Sequence, residues 1–163
     1  MTAALTAAHA LTHVGLSWIV ANLARLSLHD RTIVVLAGTL LDLDGAGIVW
    51  SERAYTAAHR AAGHGVLFAA LVVLFAVLRA DRPRVTAPLA ALSFHLHLLV
   101  DALGTAGLPI RYFWPLSDRA VSWDAHWVLA SWPNVALMTA VALGILAIAW
   151  RRRRASTPAA SRE

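Results

Sequence analysis

Long apolar stretches alternate with short polar connections along most of the chain. Five of these stretches have about the length of a membrane-crossing helix, which needs roughly 20 mostly apolar residues. They cover residues 10–28, 32–50, 59–78, 85–103 and 134–150, and the third reaches that length only if its helix begins near His59. The pattern predicts an all-α fold: an integral membrane bundle of about five transmembrane helices, forming a single domain over residues 1–150.

Two segments outside the stretches carry their own patterns. The connection 105–133 is rich in tryptophan, a residue that prefers the membrane interface. Within it, Trp123 and Trp127 are four residues apart and would share one helix face, so the piece 121–132 is predicted to be a short interfacial helix. Residues 151–163 begin with four arginines and continue in alanine and serine, which predicts a basic, disordered cytoplasmic tail.

The composition points to lipid as the solvent of this chain. It is 59% hydrophobic and 14% charged, with a mean hydropathy of +0.62, whereas a soluble domain has about 25% charged residues. The net charge of +5 comes from arginine without any lysine, and four arginines follow the last apolar stretch directly. That placement is typical of a cytoplasmic membrane anchor. We therefore expect membrane lipid as a partner, and no nucleic acid.

The arginines also predict an orientation. Ten of the 14 lie in the connections 25–31 and 79–84 and in the C-terminal tail, which would share one side of a five-helix bundle. Because cytoplasmic connections are enriched in positive charge, the N-terminus is predicted outside and the C-terminus in the cytoplasm. The expected location is a bacterial-type inner membrane, crossed several times.

Several ionisable side chains lie where lipid would make them costly. They are His13, Asp42, Asp44, His59, His64, His95, His97 and Asp101. Such residues usually face the interior of a bundle and have a function. Counted from the cytoplasmic arginines at about 1.5 Å per residue, most fall in one slab roughly 16 to 26 Å above the inner boundary, with His59 higher, at about 30 Å.

The residue types in this slab suggest a metal centre. His97 and Asp101 share one helix face at i, i+4, while His95 points away and is expected to be a hydrogen-bonding residue. The chain has no cysteine, so a metal would be bound by imidazole and carboxylate, which suits zinc or another divalent cation. Such an ion activates water, so the prediction is a membrane-embedded metal-dependent hydrolase acting on a phosphoester or lipid-like substrate. His9, His29 and His126 are expected to be solvated.

The order of these residues resembles the YdjM-like family of predicted membrane-bound metal-dependent hydrolases. That family shows an early Thr-His, a Pro-Asp-x-Asp, an His-Arg-Gly-x-x-His-Ser and a later His-x-x-x-Asp. The matching pieces here are Thr12-His13, Leu41-Asp42-Leu43-Asp44, His59-Arg60-Ala61-Ala62-Gly63-His64 and the run His95 to Asp101, followed by Trp114-Pro115. The resemblance covers residues 9 to 116. It implies a distant similarity to zinc-dependent phospholipase C and P1-type nucleases, which are helical and bind a zinc cluster.

The resemblance also implies roles for individual residues. Carried over by position, the metal-site residues are His13, Asp42, Asp44, His59, His64, His97 and Asp101. Asp42, Asp44 and Asp101 are also the candidate catalytic proton acceptors. Arg60 is a candidate contact to a substrate phosphate, because a guanidinium matches that geometry. Two departures stand out: Leu41 replaces the usual proline and Gly65 the usual serine.

Two other classes of function remain open. A haem-binding electron carrier would use histidine pairs on neighbouring helices, although the carboxylates argue against it. A proton or metal transporter would line its path with aspartate and histidine. The inner halves of the predicted spans are almost wholly apolar, which disfavours a path through the membrane.

Overall fold

Helices make up most of the described part of the chain. A computed structural model describes residues 3–51, 53, 59–105 and 107–156. Its elements are α1 (Ala3–Ala21), α2 (Leu28–Ala37), a 3₁₀ segment (Leu40–Val49), α3 (Val66–Arg79), α4 (Pro83–Gly104) and α5 (Trp132–Ser156). Within these ranges the only β-type pairing is an isolated antiparallel bridge between Ile110 and Val121. The prediction of an all-α fold is confirmed for this part of the chain.

Helix α4 occupies the centre of the bundle. It packs against α1, α2 and α3, while α5 packs against α1. Small side chains make these contacts close: Ala76 of α3 and Ala87 and Ala90 of α4 are buried together. The outer surface is apolar as well, with Leu71 and Leu146 among its exposed side chains. An apolar surface around a closely packed interior is typical of a bundle surrounded by lipid.

Three of the described helices are long and apolar enough to cross a membrane. They are Ala4–Ala21, Pro83–Gly104 and Trp132–Ala155. The second predicted stretch, 32–50, is instead divided near Gly38 into α2 and the 3₁₀ segment. Helix α3 has 14 residues, or roughly 21 Å, against a hydrocarbon core of about 30 Å. The structure therefore agrees with a helical membrane bundle, but the predicted number of five crossings is not confirmed.

The predicted interfacial helix at 121–132 is wrong. Residues 121–131 form turns and irregular chain, and α5 begins at Trp132. The backbone of Val121 pairs with Ile110, and the Trp127 amide donates to the carbonyl oxygen of Leu103, 2.8 Å away. These tertiary hydrogen bonds replace the local ones that a helix would need.

The C-terminal arginines also differ from the prediction. Arg151 to Arg154 belong to the last turns of α5, which continues to Ser156. The Arg154 guanidinium lies over the Trp150 ring, 3.7 Å from its centroid. The rest of the predicted tail, residues 157–163, lies outside the described residues.

One end of the bundle is fastened by a buried carboxylate. Asp30 of α2 accepts hydrogen bonds from the amides of Asp81 and Arg82, at 2.7 and 3.0 Å, and from the Thr86 hydroxyl at 2.8 Å. These donors lie just before α4 and in its first turns, where backbone N–H groups lack helical partners. Asp30 therefore joins the start of α2 to the turn between α3 and α4.

Substitution Asp30→Asn is expected to lower the free energy of unfolding by about 2 to 3 kcal/mol, because the amide group turns one donor–acceptor contact into a donor–donor contact. Burial acts to raise the pKa of Asp30, but the hydrogen bonds from Thr86, Asp81 and Arg82 outweigh it and hold the pKa below the ordinary aspartate value. This contribution is therefore complete above an ordinary aspartate pKa and is lost as the pH falls through the lowered value.

The measurement is denaturant unfolding in detergent micelles between pH 7 and pH 3. The difference between wild type and Asp30→Asn should shrink as the pH falls. Asp118→Asn, in an exposed loop, is the control and should leave the unfolding free energy unchanged. An equal difference at every pH would contradict the assigned role of the Asp30 carboxylate.

Candidate metal centre

Helix α1 presents a polar face to the bundle interior. His9, Thr12, His13 and Ser17 are all buried there. Since residues four apart share a helix face, His9 and His13 reach the same neighbour. Their Nε2 atoms lie 3.1 Å apart, and each is 3.2 Å from Oδ1 of Asp101 on α4.

Asp101 joins two groups of side chains. Its Oδ1 faces His9 and His13, while its Oδ2 lies 3.3 Å from His64 Nε2 and 3.8 Å from His97 Nε2. We call Asp101 and the five residues around it the His/Asp centre: His9, His13, Asp42, His64, His97 and Asp101. Within the group Asp42, His64, His97 and Asp101, and within the group His9, His13 and Asp101, one candidate ligand atom per residue lies within 4.8 Å of the others.

The hydrogen bonds of His64 and His97 fix which ring nitrogen carries a proton. His64 Nδ1 lies 2.9 Å from Asp44 Oδ2, and His97 Nδ1 lies 2.9 Å from the carbonyl oxygen of Gly38. Both partners can only accept, so both Nδ1 atoms are donors. The two Nε2 atoms face the centre, are buried and make no hydrogen bond. In a neutral ring each Nε2 atom carries a lone pair. That of His64 is directed at the Asp101 carboxylate and that of His97 at the Asp42 carboxylate.

The path of the chain after α2 brings Asp42 to the centre. Gly38 ends α2 and lies so close to α1 and α4 that a Cβ there would overlap the hydroxyls of Ser17 and Ser93. The chain then continues as the 3₁₀ segment, which places Asp42 Oδ1 3.5 Å from His97 Nε2. The Asp42 side chain is 40% exposed, whereas those of Asp101 and His97 are 4% and 1% exposed. Asp42 is therefore the residue of this group that is most accessible from outside the fold.

Asp44 holds the turn that carries His64. Its Oδ2 accepts from the amides of Arg60 and Gly63, at 3.0 and 3.2 Å, as well as from His64 Nδ1. Its Oδ1 lies 3.0 Å from Nδ1 of His59. Both oxygens thus contact protein donors, and a Cβ on Gly63 would lie 3.2 Å from Oδ2. The structure gives Asp44 the role of orienting His64, which differs from the ligand role predicted for it.

Arg60 is buried in the fold and contacts Asp101 there. It has a left-handed backbone conformation with φ 64°, which is uncommon for residues other than glycine. Its guanidinium donates to the Leu108 carbonyl oxygen at 2.9 Å and to the Thr105 hydroxyl at 2.8 Å, and lies 3.3 Å from Asp101 Oδ2. Arg60 therefore balances charge on Asp101 and contacts it from within the fold, where the sequence suggested a substrate contact.

The structure brings together most of the predicted site. His13, Asp42, His64, His97 and Asp101 lie in the His/Asp centre. Asp44 and His59 lie directly behind it, where Asp44 contacts His64. His95 points away and lies 3.0 Å from the Tyr112 hydroxyl, so its predicted exclusion from the centre is confirmed.

One residue of the centre was missed. The prediction that His9 is solvated is wrong, because its side chain is buried against Asp101. The available signal was its spacing of four residues from His13, which places both on one helix face. His29 and His126 are exposed, as expected.

Comparison with known proteins identifies the family. The family model for the YdjM inner membrane protein matches residues 6–160, which is nearly the whole chain. The chain belongs to the YdjM family of inner membrane proteins. No curated protein and no solved structure matches it.

Membership of the YdjM family fits the apolar helices. Both place the chain in a membrane, and the family description names the inner membrane. The match also extends beyond the motif region, through α5. The family is named for its location and not for a reaction, so only the residues of the centre indicate its chemistry.

Proposed function

We propose that this YdjM-family protein is a membrane-embedded hydrolase that uses a divalent cation, zinc in the first instance, bound by the His/Asp centre. The substrate class is a phosphoester or lipid-like ester. The observation that carries the proposal is the pair of buried Nε2 atoms of His64 and His97, which make no hydrogen bond. They lie 3.3 and 3.5 Å from the carboxylates of Asp101 and Asp42. A lone pair opposite a carboxylate is repulsive unless a proton or a metal ion lies between them.

The hydrogen bonds of the two Nδ1 atoms favour a metal ion, and not a proton, between each Nε2 atom and its carboxylate. Histidines that bind metals usually donate their second nitrogen to a carboxylate or a carbonyl oxygen, which orients the ring. His64 donates to Asp44 and His97 donates to Gly38 in this way. Two imidazoles and two carboxylates form a donor set suited to zinc.

The second group suits a further cation. His9 and His13 direct their Nε2 atoms to the one Asp101 oxygen that the first group leaves. The rings of His13 and His97 stack with centroids 3.8 Å apart. Such stacking leaves no space for a porphyrin between these two rings, so the cation proposal suits them better than the haem alternative.

The residues of the centre divide the work of hydrolysis. A bound divalent cation would polarise an ester oxygen and lower the pKa of a water molecule towards neutrality. Asp42 is the exposed carboxylate of the centre, and we assign it the contact with substrate and the acceptance of a proton. Asp101 holds both groups together, and Asp44 fixes His64, so their oxygens are already engaged.

The proposal is tested by the metal content of the purified protein. We expect bound zinc by elemental analysis in the wild type. His64→Ala and His97→Ala should each weaken metal binding by more than the roughly 10- to 100-fold that loss of an outer contact costs. Loss of metal should be accompanied by loss of phosphoester hydrolysis.

The matched control is His95→Ala. It removes an imidazole two residues from His97 on the same helix, but on the face that contacts Tyr112. This variant should retain the wild-type metal content. A wild-type protein without stoichiometric metal, or equal metal in His64→Ala and His95→Ala, would contradict the proposal.

We also propose that the N-terminus lies outside and the C-terminus in the cytoplasm, with five crossings. In this arrangement residues 32–50 form one crossing, and residues 59–78 form another. The distribution of arginines supports it.

The orientation can be tested because the natural chain has no cysteine. A membrane-impermeant maleimide should label Ser117→Cys in intact cells and should label Ala155→Cys only after the membrane is opened. The reverse labelling pattern would overturn the orientation.

A further inference from the structure

An apolar groove runs along the bundle between α2 and α3. It has a volume of about 320 Å³, and its walls come from α2, the 3₁₀ segment and α3. Every lining residue is apolar: Ile33, Leu36 and Leu40 form one side, and Phe68, Leu71 and Phe75 form much of the other. The groove exists because α2 and α3 each pack on α4 and contact one another only slightly.

The groove is open to the surroundings of the bundle. Leu36, Leu71 and Phe75 on its rim are exposed. In an inner membrane protein an apolar rim of this kind faces hydrocarbon. Water would find almost no hydrogen-bond partner in the groove, and an ordered water needs two to four. The chemistry of the walls therefore matches a hydrocarbon chain.

One end of the groove is formed by residues that are close in the chain to the His/Asp centre. Leu40 precedes Asp42 by two residues, and Phe68 follows His64 by four. Leu40 and Asp42 belong to the same 3₁₀ segment, where two residues correspond to roughly 4 Å along the axis. Phe68 lies in the first turn of α3, which begins two residues after His64. From Phe68 to Phe75 the groove extends about 10 Å away from that end along α3. A chain lying in the groove would thus have its head at the level of Asp42, the exposed carboxylate of the centre.

From this juxtaposition we propose that the groove holds an acyl chain of a membrane lipid whose ester or phosphoester head lies at the His/Asp centre. This inference rests on the proposed function, because it names the substrate as a lipid that enters sideways from the bilayer. The acyl chain of the lipid binds in the groove, and the ester or phosphoester bond that reacts is held near Asp42.

A second apolar groove provides a matched comparison. It lies between α1, α4 and α5, has a volume of about 360 Å³, and is lined by Leu16, Leu99 and Trp132 among others. It borders α4 beside His97 and Asp101, but the side chains of these two residues are only 1% and 4% exposed. The second groove has similar size and polarity without an exposed residue of the centre at its end.

The experiment uses a phospholipid with a photoactivatable group in the middle of one acyl chain. The full-length protein in detergent is mixed with about one such lipid per protein, irradiated and digested, and the labelled peptides are identified by mass spectrometry. The groove predicts labelling of α2 and α3. Leu71→Trp, which narrows the groove, should reduce this labelling about tenfold, the factor that corresponds to losing the burial of roughly two methylene groups.

Two further variants complete the design. Leu36→Trp narrows the groove from the opposite wall and repeats the test if Leu71→Trp does not fold. Leu99→Trp narrows the second groove and should leave the labelling of α2 and α3 unchanged. All three variants should retain the wild-type metal content, which shows that the centre is intact.

Measurements of hydrolysis distinguish a failure of the groove as a lipid site from a failure of the proposed hydrolase. Narrowing the groove should lower kcat/KM for a long-chain phospholipid about tenfold and leave hydrolysis of a water-soluble phosphoester unchanged. Labelling that is absent from α2 and α3, or unaffected by Leu71→Trp and Leu36→Trp, would overturn the groove as a lipid site. Labelling of the groove without hydrolysis of either compound would support the groove and contradict the hydrolase.

Discussion

Asp101→Asn is expected to abolish metal binding by the protein. One oxygen of Asp101 faces His64 and His97, and the other faces His9 and His13. An amide nitrogen at either position cannot bind a cation, and the centre also loses one negative charge. The affinity for zinc should fall by more than the roughly 100-fold upper effect of an outer-shell substitution, and hydrolysis should disappear with it.

The control for this variant is Asp30→Asn. Asp30 is also a fully buried carboxylate, at the start of α2. It lies beside His29 and Asp81 in a third group of candidate ligands, but its oxygens already accept from two backbone amides and the Thr86 hydroxyl. It should lower stability and leave the metal content unchanged. If Asp101→Asn keeps its zinc under conditions where it elutes as a folded protein, the two groups do not share this carboxylate and the centre is assigned incorrectly.

Much of the centre was predictable because lipid makes polar residues conspicuous. In a soluble protein His13 or His97 would be unremarkable, whereas in an apolar stretch each has to find a polar neighbour in the bundle interior. Counting residues from the flanking arginines was then enough to place Asp42, His64 and Asp101 at one level. In the structure they converge because α1, α2 and α3 pack around α4.

The course of the chain between α2 and α3 was much harder to predict. Apolarity alone made residues 32–50 resemble one continuous crossing. The structure divides them near Gly38, where the close contact with Ser17 and Ser93 leaves no space for a side chain. A sequence pattern shows that a glycine is present, but it does not show which helix will approach it. The 3₁₀ segment that follows brings Asp42 to His97.

The roles of individual carboxylates were equally hidden. Asp42 and Asp44 are two residues apart and have the same chemistry, so spacing assigns them the same role. Only the fold shows that Asp44 is surrounded by amides of the turn Arg60 to His64 while Asp42 stays open. The same holds for Arg60, whose guanidinium is directed inward and donates to the Leu108 carbonyl oxygen.

The substitution Asp44→Asn distinguishes a residue that orients His64 from a residue that binds the metal. We expect it to have the second large effect on zinc affinity. The asparagine can keep an oxygen near the amides of Arg60 and Gly63, but it removes the charge that holds the Nδ1 proton of His64. A histidine without its carboxylate partner is a poorer and less oriented ligand, so zinc affinity should fall by about 10- to 100-fold. At saturating zinc the variant should still bind the full amount of metal.

X-ray absorption at the zinc edge distinguishes an orienting residue from a ligand. At saturation, Asp44→Asn should show the same number and type of nearest ligands as the wild type, whereas His64→Ala should show one imidazole fewer. Asp118→Asn, in an exposed loop, should change neither the affinity nor the spectrum. A lost oxygen ligand in Asp44→Asn would make Asp44 a direct ligand after all, and would mean that metal binding opens the turn that its oxygens now hold closed.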